Sequence, residues 1–142
     1  MLSKILLSSD HAGFELKEKV KNYLIKNCIE FEDLGCPSLE PVDYPDYAKI
    51  LSKKLKKKNG SKGIIFCGTG IGISMAANRY PHIRAALCTT VEMASKSRKH
   101  NDANVLALGG RILEDKLALE IVKEFLYTDF EAGRHSLRVD KI

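Results

Sequence analysis

Signals for strands and helices alternate along the whole chain, and this alternation limits the possible folds more than any other feature. Short apolar runs predict strands at 4–8, 29–34, 64–66, 84–88 and 104–108. Helices are predicted at 14–27, 73–78, 91–99 and 113–126, and a lysine-rich helix follows a loop through Pro41 and Pro45 and ends at Asn59-Gly60. Strands that alternate with helices form a parallel sheet covered on both faces. The sequence therefore predicts an α/β protein with a three-layer, Rossmann-like fold, in which helices cover both faces of a five-stranded parallel sheet.

The length of 142 residues suits one domain with a substantial core, so we expect a single domain over 1–142. No apolar run approaches the roughly 18 residues of a membrane span, and the N-terminus enters a strand without a signal-peptide cleavage site. The four cysteines include no Cys-x-x-Cys pair, so they indicate neither a zinc site nor a disulfide framework. These features predict a cytoplasmic protein that does not contact a membrane.

The net charge of +5 comes largely from a lysine-rich stretch at 53–58. On a helix that turns Tyr47, Ile50, Leu51 and Leu55 inward, these lysines form the solvated outer face. The alternative is nucleic-acid binding, but no arginine or aromatic residue is interleaved with the lysines. We therefore expect no nucleic-acid partner; strong salt dependence of binding would indicate one. A positive field still favours capture of a small anionic substrate.

The most distinctive local motif is the segment 64–74, which reads Ile-Ile-Phe-Cys-Gly-Thr-Gly-Ile-Gly-Ile-Ser. Cys67 would end a buried strand beneath backbone N–H groups at a helix N-terminus, a position that favours anions and draws a thiol toward thiolate. The residues alone leave a second interpretation open, in which Cys67 is a small buried hydrophobe that ends the strand.

The glycines of this segment do not match a dinucleotide-binding loop. That fingerprint is Gly-x-Gly-x-x-Gly, whereas Ile73 stands where the third glycine is required and the loop follows the third predicted strand. The segment also lacks the Gly-Lys-Ser/Thr of a P-loop. A loop with Gly68, Gly70 and Gly72 instead suits the presentation of several N–H groups to an oxyanion or a phosphate.

Further polar residues follow other predicted strands at the same edge of the sheet. Asp10 and His11 come after the first strand, and His100, Asn101 and Asp102 come after the helix that follows the fourth strand. Helix capping is an alternative role for the second group. Because the loops at this edge carry the chemistry of such sheets, we expect these residues to join Cys67 in one site.

Five sequence blocks, spread over nearly the whole chain, form a recognisable set. They read Ser-Asp-His-Ala-Gly (9–13), Asp-Tyr-Pro-Asp-Tyr-Ala (43–48), Cys-Gly-Thr-Gly-Ile-Gly (67–72), His-Asn-Asp-Ala-Asn-Val-Leu (100–106) and Gly-Arg-His-Ser-Leu-Arg-Val (133–139). Together they resemble ribose-5-phosphate isomerase type B, in a family that also includes galactose-6-phosphate and allose-6-phosphate isomerases. The resemblance implies an aldose–ketose isomerase that interconverts D-ribose 5-phosphate and D-ribulose 5-phosphate through an enediolate, in the non-oxidative pentose phosphate pathway.

The resemblance also implies catalytic roles. Cys67 is the base that moves a proton between C2 and C1, because positions 74 and 75 lack the carboxylate used by the other branch of the family. Backbone N–H groups from 68–72 stabilise the enediolate oxygens. Thr69 hydrogen-bonds the thiolate or the C1–C2 oxygens, and His100 donates a proton to the ring oxygen during ring opening.

Substrate binding is implied in the same way. Asp10 orients the substrate hydroxyls, and the phosphate is bound by His11, Arg134 and Arg138. The full implied binding set is Asp10, His11, Tyr44, Gly68, Thr69, Gly70, Ile71, Gly72, Asn101, Arg111, Arg134 and Arg138. The resemblance implies no metal and no organic cofactor. Ala132 stands where many relatives carry a second glycine, a departure that leaves the arginines in place.

The resemblance further implies a homodimer or a dimer of dimers, with two sites near the subunit interface. The polar tail at 128–142 could be a frayed terminus, but its Arg-His-x-x-Arg spacing favours phosphate recognition. Two other functions stay open: an isomerase of a hexose 6-phosphate of the allose or galactose type, and a non-catalytic phosphosugar sensor. A sensor does not need Cys67 and His100 together, which favours an enzyme.

Overall fold

The computed structural model describes residues 2–55 and 60–142. In these ranges the chain forms β1 (Ile5–Ser9), α1 (Phe14–Lys26), β2 (Phe31–Asp33), α2 (Tyr44–Leu55), β3 (Gly63–Cys67), α3 (Ile71–Ala77), β4 (Ala85–Leu87), α4 (Val91–Lys99), β5 (Val105–Gly109), α5 (Asp115–Tyr127) and α6 (Arg134–Val139). None of these helices is long and apolar enough to cross a membrane. Asn59 and the lysines at 56–58, on which the predicted end of the lysine-rich helix depends, lie outside the described residues.

The five strands are all parallel and lie in the order β2-β1-β3-β5-β4. The predicted five-stranded parallel sheet is therefore confirmed. From β1 the chain adds β2 on one side and β3 on the other, so the direction of winding reverses between β1 and β3. Ligands of open α/β sheets bind beyond the carboxyl ends of the strands at such a point. Ser9 of β1 is paired with Phe66 of β3 here, which places Asp10 beside Cys67.

Alternate strand residues face two hydrophobic clusters, one on each side of the sheet. One cluster joins Leu7 and Phe66 to α1, α4 and α5, and the other joins Leu6 and Ile65 to α2 and α3. Cys67 belongs to the second cluster and is 5% exposed. Helices therefore cover both faces of the sheet, as the sequence predicts.

The inward face of α2 is predicted wrongly at Ile50. The buried residues of this helix are Ala48, Leu51, Ser52 and Leu55, whereas Ile50 is 43% exposed. Positions i, i+3, i+4 and i+7 share a helical face, and the set that begins at Ala48 has this spacing. Ile50 is rotated about 100° from Leu51 around the helix axis, which turns it toward solvent.

The chain beyond α5 also differs from the expected polar tail, because it contains the helix α6. This helix begins after Gly133, which has a φ of 56°, and it buries none of its residues. A helix without a buried face has no periodic apolar pattern, so the sequence carried no signal from which to predict it.

Candidate active site

A cleft of about 400 Å³ lies at the carboxyl ends of β1 and β3. We refer to it as the Cys67 cleft. It brings together nine of the predicted site residues, which come from four separate segments of the chain. Its lining consists of Asp10, His11, Ala12, Tyr44, Cys67, Gly68, Thr69, Ile71, Gly72 and Arg111.

The sulfur of Cys67 is held by the loop that follows its strand. Its Sγ accepts a hydrogen bond of 3.1 Å from the backbone N–H of Gly70. Gly70 adopts a left-handed φ of 79°, and an added Cβ would lie 2.6 Å from Cδ1 of Leu87. A glycine is therefore needed to aim this N–H at the sulfur. A backbone donor at this distance stabilises negative charge on the thiolate more than it stabilises the neutral thiol.

The other loop N–H groups divide into used and available donors. The N–H of Ile71 donates to Oγ1 of Thr69 at 3.1 Å, so the Thr69 hydroxyl is engaged within the loop. Within the ranges that the structure describes, the N–H groups of Gly68, Thr69 and Gly72 have no acceptor. Three of the five predicted donors are thus available to an oxyanion, while that of Gly70 serves the sulfur and that of Ile71 serves Thr69.

Asp10 is buried at the end of β1, with 6% of its surface exposed. Its Oδ1 accepts a 3.0 Å hydrogen bond from the N–H of Gly13, and its own N–H donates to the carbonyl of Phe66 at 3.1 Å. Gly13 is required for this close approach, because an added Cβ would lie 2.5 Å from the Phe66 backbone. These contacts fix the carboxylate at the wall of the Cys67 cleft, where it can accept hydrogen bonds from hydroxyl groups.

His11 is held by the loop before α2. Its Nδ1 accepts a 3.1 Å hydrogen bond from the N–H of Val42. A ring nitrogen that accepts carries no proton, so Nε2 is the nitrogen that can donate. In this arrangement His11 offers the Cys67 cleft a hydrogen-bond donor.

The positive charge of the cleft lining comes from Arg111. Its backbone N–H donates to the carbonyl of Gly68 at 2.9 Å, which ties the turn after β5 to the glycine loop. The ring of Tyr44 covers the opposite side of the loop, and an added Cβ on Gly72 would lie 2.7 Å from its Cζ atom. The second and third glycines of the loop therefore have separate tasks, since Gly70 aims a donor and Gly72 makes room for an aromatic ring.

Five predicted site residues do not line the Cys67 cleft of their own chain. One is Gly70, whose N–H serves the sulfur of Cys67. The other four are His100, Asn101, Arg134 and Arg138, which we call the basic group after its three basic members, so the expectation of a single site is not met within one chain. His100 caps the C-terminus of α4, and both arginines are exposed on α6. Asn101 lines a different cleft of about 470 Å³. Asp102 has a left-handed φ of 47° and donates its N–H to the carbonyl of Arg98 at the end of α4, which supports its capping interpretation, and its carboxylate pairs with Arg84 and Arg98.

His100 lies in a cluster that the sequence interpretation missed. Its ring stacks on that of His135, with centroids 4.3 Å apart, and Oε1 of Glu131 lies 3.9 Å from Nε2 of both rings. Desolvation and the nearby charges of His100 and Arg134 lower the pKa of His135. The four-residue spacing of Glu131 and His135 is a weak signal, because it indicates a contact only if that segment folds as a helix.

Comparisons with known proteins agree over almost the full chain. The family described as Ribose/Galactose Isomerase matches residues 5–142. A protein of Escherichia coli named ribose-5-phosphate isomerase B is 42% identical over 141 residues, which cover 99% of this chain and 95% of that protein. A crystal structure of a ribose 5-phosphate isomerase from Thermotoga maritima has a TM-score of 0.95 at 54% identity, covering 97% of this chain and 95% of that chain. A crystal structure of ribose-5-phosphate isomerase B from Mycoplasma genitalium with bound ribulose-5-phosphate has a TM-score of 0.94 at 38% identity, covering 99% and 95% respectively.

Proposed function

This chain belongs to the ribose/galactose isomerase family, and from that premise we propose that it interconverts D-ribose 5-phosphate and D-ribulose 5-phosphate. The observation that carries the proposal is the position of Cys67, whose sulfur receives a backbone N–H beneath a loop with three further available donors. The relative from Mycoplasma genitalium, described with bound ribulose-5-phosphate, supports the same substrate. The activity is that of an aldose–ketose isomerase.

The proton transfer assigns a role to each part of the glycine loop. The Cys67 thiolate removes the proton from C2 of the open-chain aldose, and the electron pair forms the C1–C2 double bond of an enediolate. The proton of the C2 hydroxyl passes to O1, and the resulting thiol gives its proton to C1, which yields the ketose. The N–H groups of Gly68, Thr69 and Gly72 donate to the oxygens that become negative, and a preorganised donor of this kind contributes about 3 kcal/mol.

Substrate positioning falls to the walls of the Cys67 cleft. The fixed carboxylate of Asp10 accepts hydrogen bonds from sugar hydroxyls, and Nε2–H of His11 donates to the sugar or to its phosphate. Arg111 supplies positive charge, and Tyr44 covers the bound sugar. No step of this scheme needs a metal or an organic cofactor.

The basic group suggests a homodimer with shared sites. A phosphate dianion needs more charge than Arg111 supplies, and His100, Arg134 and Arg138 would provide both the acid for ring opening and this charge if a partner subunit contributed them. Ile71 and Met75 support an interface beside the cleft, since they are 47% and 66% exposed on one face of α3 and Ile71 also lines the cleft. A dimer of dimers would repeat the same contact.

Two further proposals concern the chain as a whole. Both hydrophobic clusters share one sheet, so we treat 1–142 as a single isomerase domain. The free state of all four cysteines suits a reducing compartment such as the cytoplasm.

The proposed activity is tested by assaying isomerisation of ribose 5-phosphate beside allose 6-phosphate and galactose 6-phosphate. We expect ribose 5-phosphate to give the highest kcat/KM; a preference for either hexose phosphate would replace the substrate assignment. Alkylation with iodoacetamide separates an enzyme from a sensor. Ribulose 5-phosphate should protect Cys67 but not the exposed Cys28, and modification of Cys67 should remove turnover. A sensor would have no turnover to lose.

A further inference from the structure

Two histidine rings are stacked where the end of α4 meets the start of α6. The rings of His100 and His135 have centroids 4.3 Å apart, and their planes are inclined by only 15°. Both Nε2 atoms lie 3.9 Å from the same carboxylate oxygen of Glu131, so the two rings turn the same edge toward it. Because both nitrogens of an imidazole lie in its plane, the stack also sets the directions in which His100 can donate a proton.

His135 is the more enclosed of the two rings. Its side chain is 12% exposed, whereas that of His100 is 33% exposed. His100 therefore keeps a surface that a substrate can reach, and His135 is suited to support the ring from its covered side. This division of exposure separates a reactive ring from a supporting one.

The backbone that carries His135 is fixed in place. The N–H of Glu131 donates to the carbonyl of Lys99 at 3.1 Å, which joins this segment to the end of α4. Ala132 and Gly133 then both adopt a positive φ of 56° and turn the chain into α6. A residue with a Cβ, such as Ala132, keeps this conformation only where the surrounding structure holds it. The N–H of His135 donates to the Ala132 carbonyl at 3.1 Å and closes the turn.

Local charge distinguishes the two histidines further. Desolvation, followed by the positive charges of His100 and Arg134, lowers the pKa of His135. Two protonated rings at this separation would repel each other, so the stack favours one added proton and a neutral His135. The Glu131 carboxylate attracts the positive charge of a protonated His100. A neutral, flat His135 is therefore a support for the charged ring and does not compete with it as an acid.

Opening a sugar ring needs a proton donor that points at one atom. The bond between C1 and the ring oxygen breaks as that oxygen takes a proton from the His100 imidazolium, and the C1 hydroxyl gives its proton to water as C1 becomes the aldehyde carbon. The donor must lie within hydrogen-bond reach of the ring oxygen. A misplacement of about 1 Å can cost about a hundredfold in rate.

We propose that His135 is a positioning residue for ring opening, which holds the His100 ring in the plane from which His100 protonates the ring oxygen of the sugar. The inference rests on the proposed function, in which His100 supplies the acid for this step. Proton transfer between C2 and C1 at Cys67 begins from the open chain, so it should not depend on His135.

Two assays separate ring opening from proton transfer. Isomerisation of ribose 5-phosphate needs both steps, whereas exchange of the C1 proton of ribulose 5-phosphate in deuterated water needs only proton transfer, because this ketose is an open chain. His135→Ala should lower kcat/KM for ribose 5-phosphate about tenfold or more and leave the exchange within about twofold. His135→Phe restores a flat ring and should recover most of the isomerisation. His82→Ala is the matched control, because the His82 ring meets Tyr80 edge-on outside the stack, and both rates should be unchanged.

Three results of these assays would overturn the proposal. Unchanged isomerisation in His135→Ala would show that the stack has no part in ring opening. Equal losses in the two assays would show that His135 only maintains the structure. A His135→Phe protein as slow as His135→Ala would show that the ring nitrogens act instead of the stack.

A further variant and a measurement without sugar separate this proposal from the proposed function. His100→Asn should lose isomerisation more than His135→Ala does and spare the exchange; equal losses would remove His100 as the ring-opening acid and His135 as its positioning residue. The NMR signals of the His100 ring protons, identified by their loss in His100→Asn, should move in His135→Ala because the stacked ring no longer shields them. Unmoved signals would overturn the proposal. Moved signals in a protein that neither isomerises ribose 5-phosphate nor exchanges the C1 proton would count against the proposed function and leave the stack as the support of His100.

Discussion

At the scale of single residues, Gly70 links backbone conformation to the chemistry of Cys67. Its left-handed φ of 79° directs its N–H to the sulfur, and an added Cβ would meet Leu87 at 2.6 Å and the Leu108 carbonyl carbon at 3.0 Å. Gly68 differs, because its nearest neighbours lie 3.5 Å from an added Cβ. One loop thus contains a glycine that the geometry demands and another that has space for a methyl group.

We expect Gly70→Ala to destabilise the protein by about 1–3 kcal/mol, because alanine is strained at this φ and its Cβ displaces the loop. The same displacement moves the N–H away from Sγ, so the folded variant should isomerise its substrate more slowly than the natural protein does. Denaturant unfolding and a rate measurement on the folded protein check both effects. Gly68→Ala is the matched control for stability, because an added Cβ there meets no atom closer than 3.5 Å, and it should change the free energy of unfolding little. Similar losses of stability in the two variants would contradict this account of Gly70.

Cys67→Ala should lower the isomerisation rate about 10²- to 10⁴-fold, the usual effect of removing a general base. Binding of ribulose 5-phosphate, measured by calorimetry, should stay within a few-fold because the cleft walls are unchanged. Cys28→Ser tests a cysteine that is exposed and outside the cleft, and it should retain full activity. Burial raises the pKa of Cys88 to about 11, so this thiol is a poor substitute base at neutral pH. Near-normal turnover of folded Cys67→Ala would rule out the thiol as the base.

At the scale of elements, an ion pair between a buried lysine and a partly exposed aspartate supports the strand end that carries Asp10. Lys17 of α1 is fully buried, and its Nζ donates to Oδ1 of Asp33 at 2.6 Å and to the carbonyl of Cys36 at 2.9 Å. Cys36 in turn donates its N–H to the carbonyl of Ser9 at 3.0 Å. The pair therefore fastens α1 and the segment after β2 to the residue that precedes the cleft carboxylate.

Asp33→Asn should lower the free energy of unfolding at pH 7 by about 3 kcal/mol, because it leaves the Lys17 charge buried without a counter-ion. Desolvation raises the pKa of Asp33, but hydrogen bonds from Lys17, Lys21 and the Gly35 N–H outweigh it, so the pKa lies below its usual value. The folded state therefore binds this proton less readily than the unfolded state. The resulting stability is complete above the unfolded pKa of about 3.9 and is lost as the pH falls through the folded pKa.

Urea unfolding at pH 7 measures the free-energy loss, and urea unfolding in steps below pH 4 measures how stability falls in acid. The acid-induced loss of stability should be smaller in Asp33→Asn than in the natural protein. Asp115→Asn removes the exposed Lys19–Asp115 pair and should change the free energy of unfolding little at either pH, because water screens this pair. If Asp33→Asn and Asp115→Asn lost the same free energy of unfolding, the Lys17–Asp33 pair would stabilise the protein no more than an exposed pair does.

How far the elements were predictable depends on whether their signal is local. The sheet strands were predicted because their apolar runs are continuous, and Asp10 and Cys67 were placed correctly because each stands at the end of such a run. The helix α6 has no buried face and left no pattern in the sequence. The partners of His100 were missed for a different reason, since the contact with Glu131 depends on how the chain after α5 folds back against α4.

At the scale of the whole molecule, the charges that a sugar phosphate needs lie on two separate surfaces of one chain. The Cys67 cleft holds the thiol, the carboxylate and Arg111, whereas Arg134 and Arg138 are exposed on α6. The five sequence blocks imply sites near a subunit interface that a partner chain can complete, but they do not say which chain supplies each residue. Two chains related by a twofold axis would bring both surfaces together twice, once for each site.

Mixing two inactive variants tests this arrangement. If each site combines Cys67 of one chain with the arginines of its partner, Cys67→Ala subunits and Arg134→Ala/Arg138→Ala subunits should restore activity together. Random exchange makes half of the dimers mixed, and each mixed dimer has one intact site, so recovery should approach about a quarter of the natural activity. Subunit exchange is verified by tagging one variant and isolating the mixed dimers, which should show about half of the natural activity per dimer. Mixed dimers without activity would place Cys67 and both arginines in the site of a single chain, because every site would then contain one of the two defects.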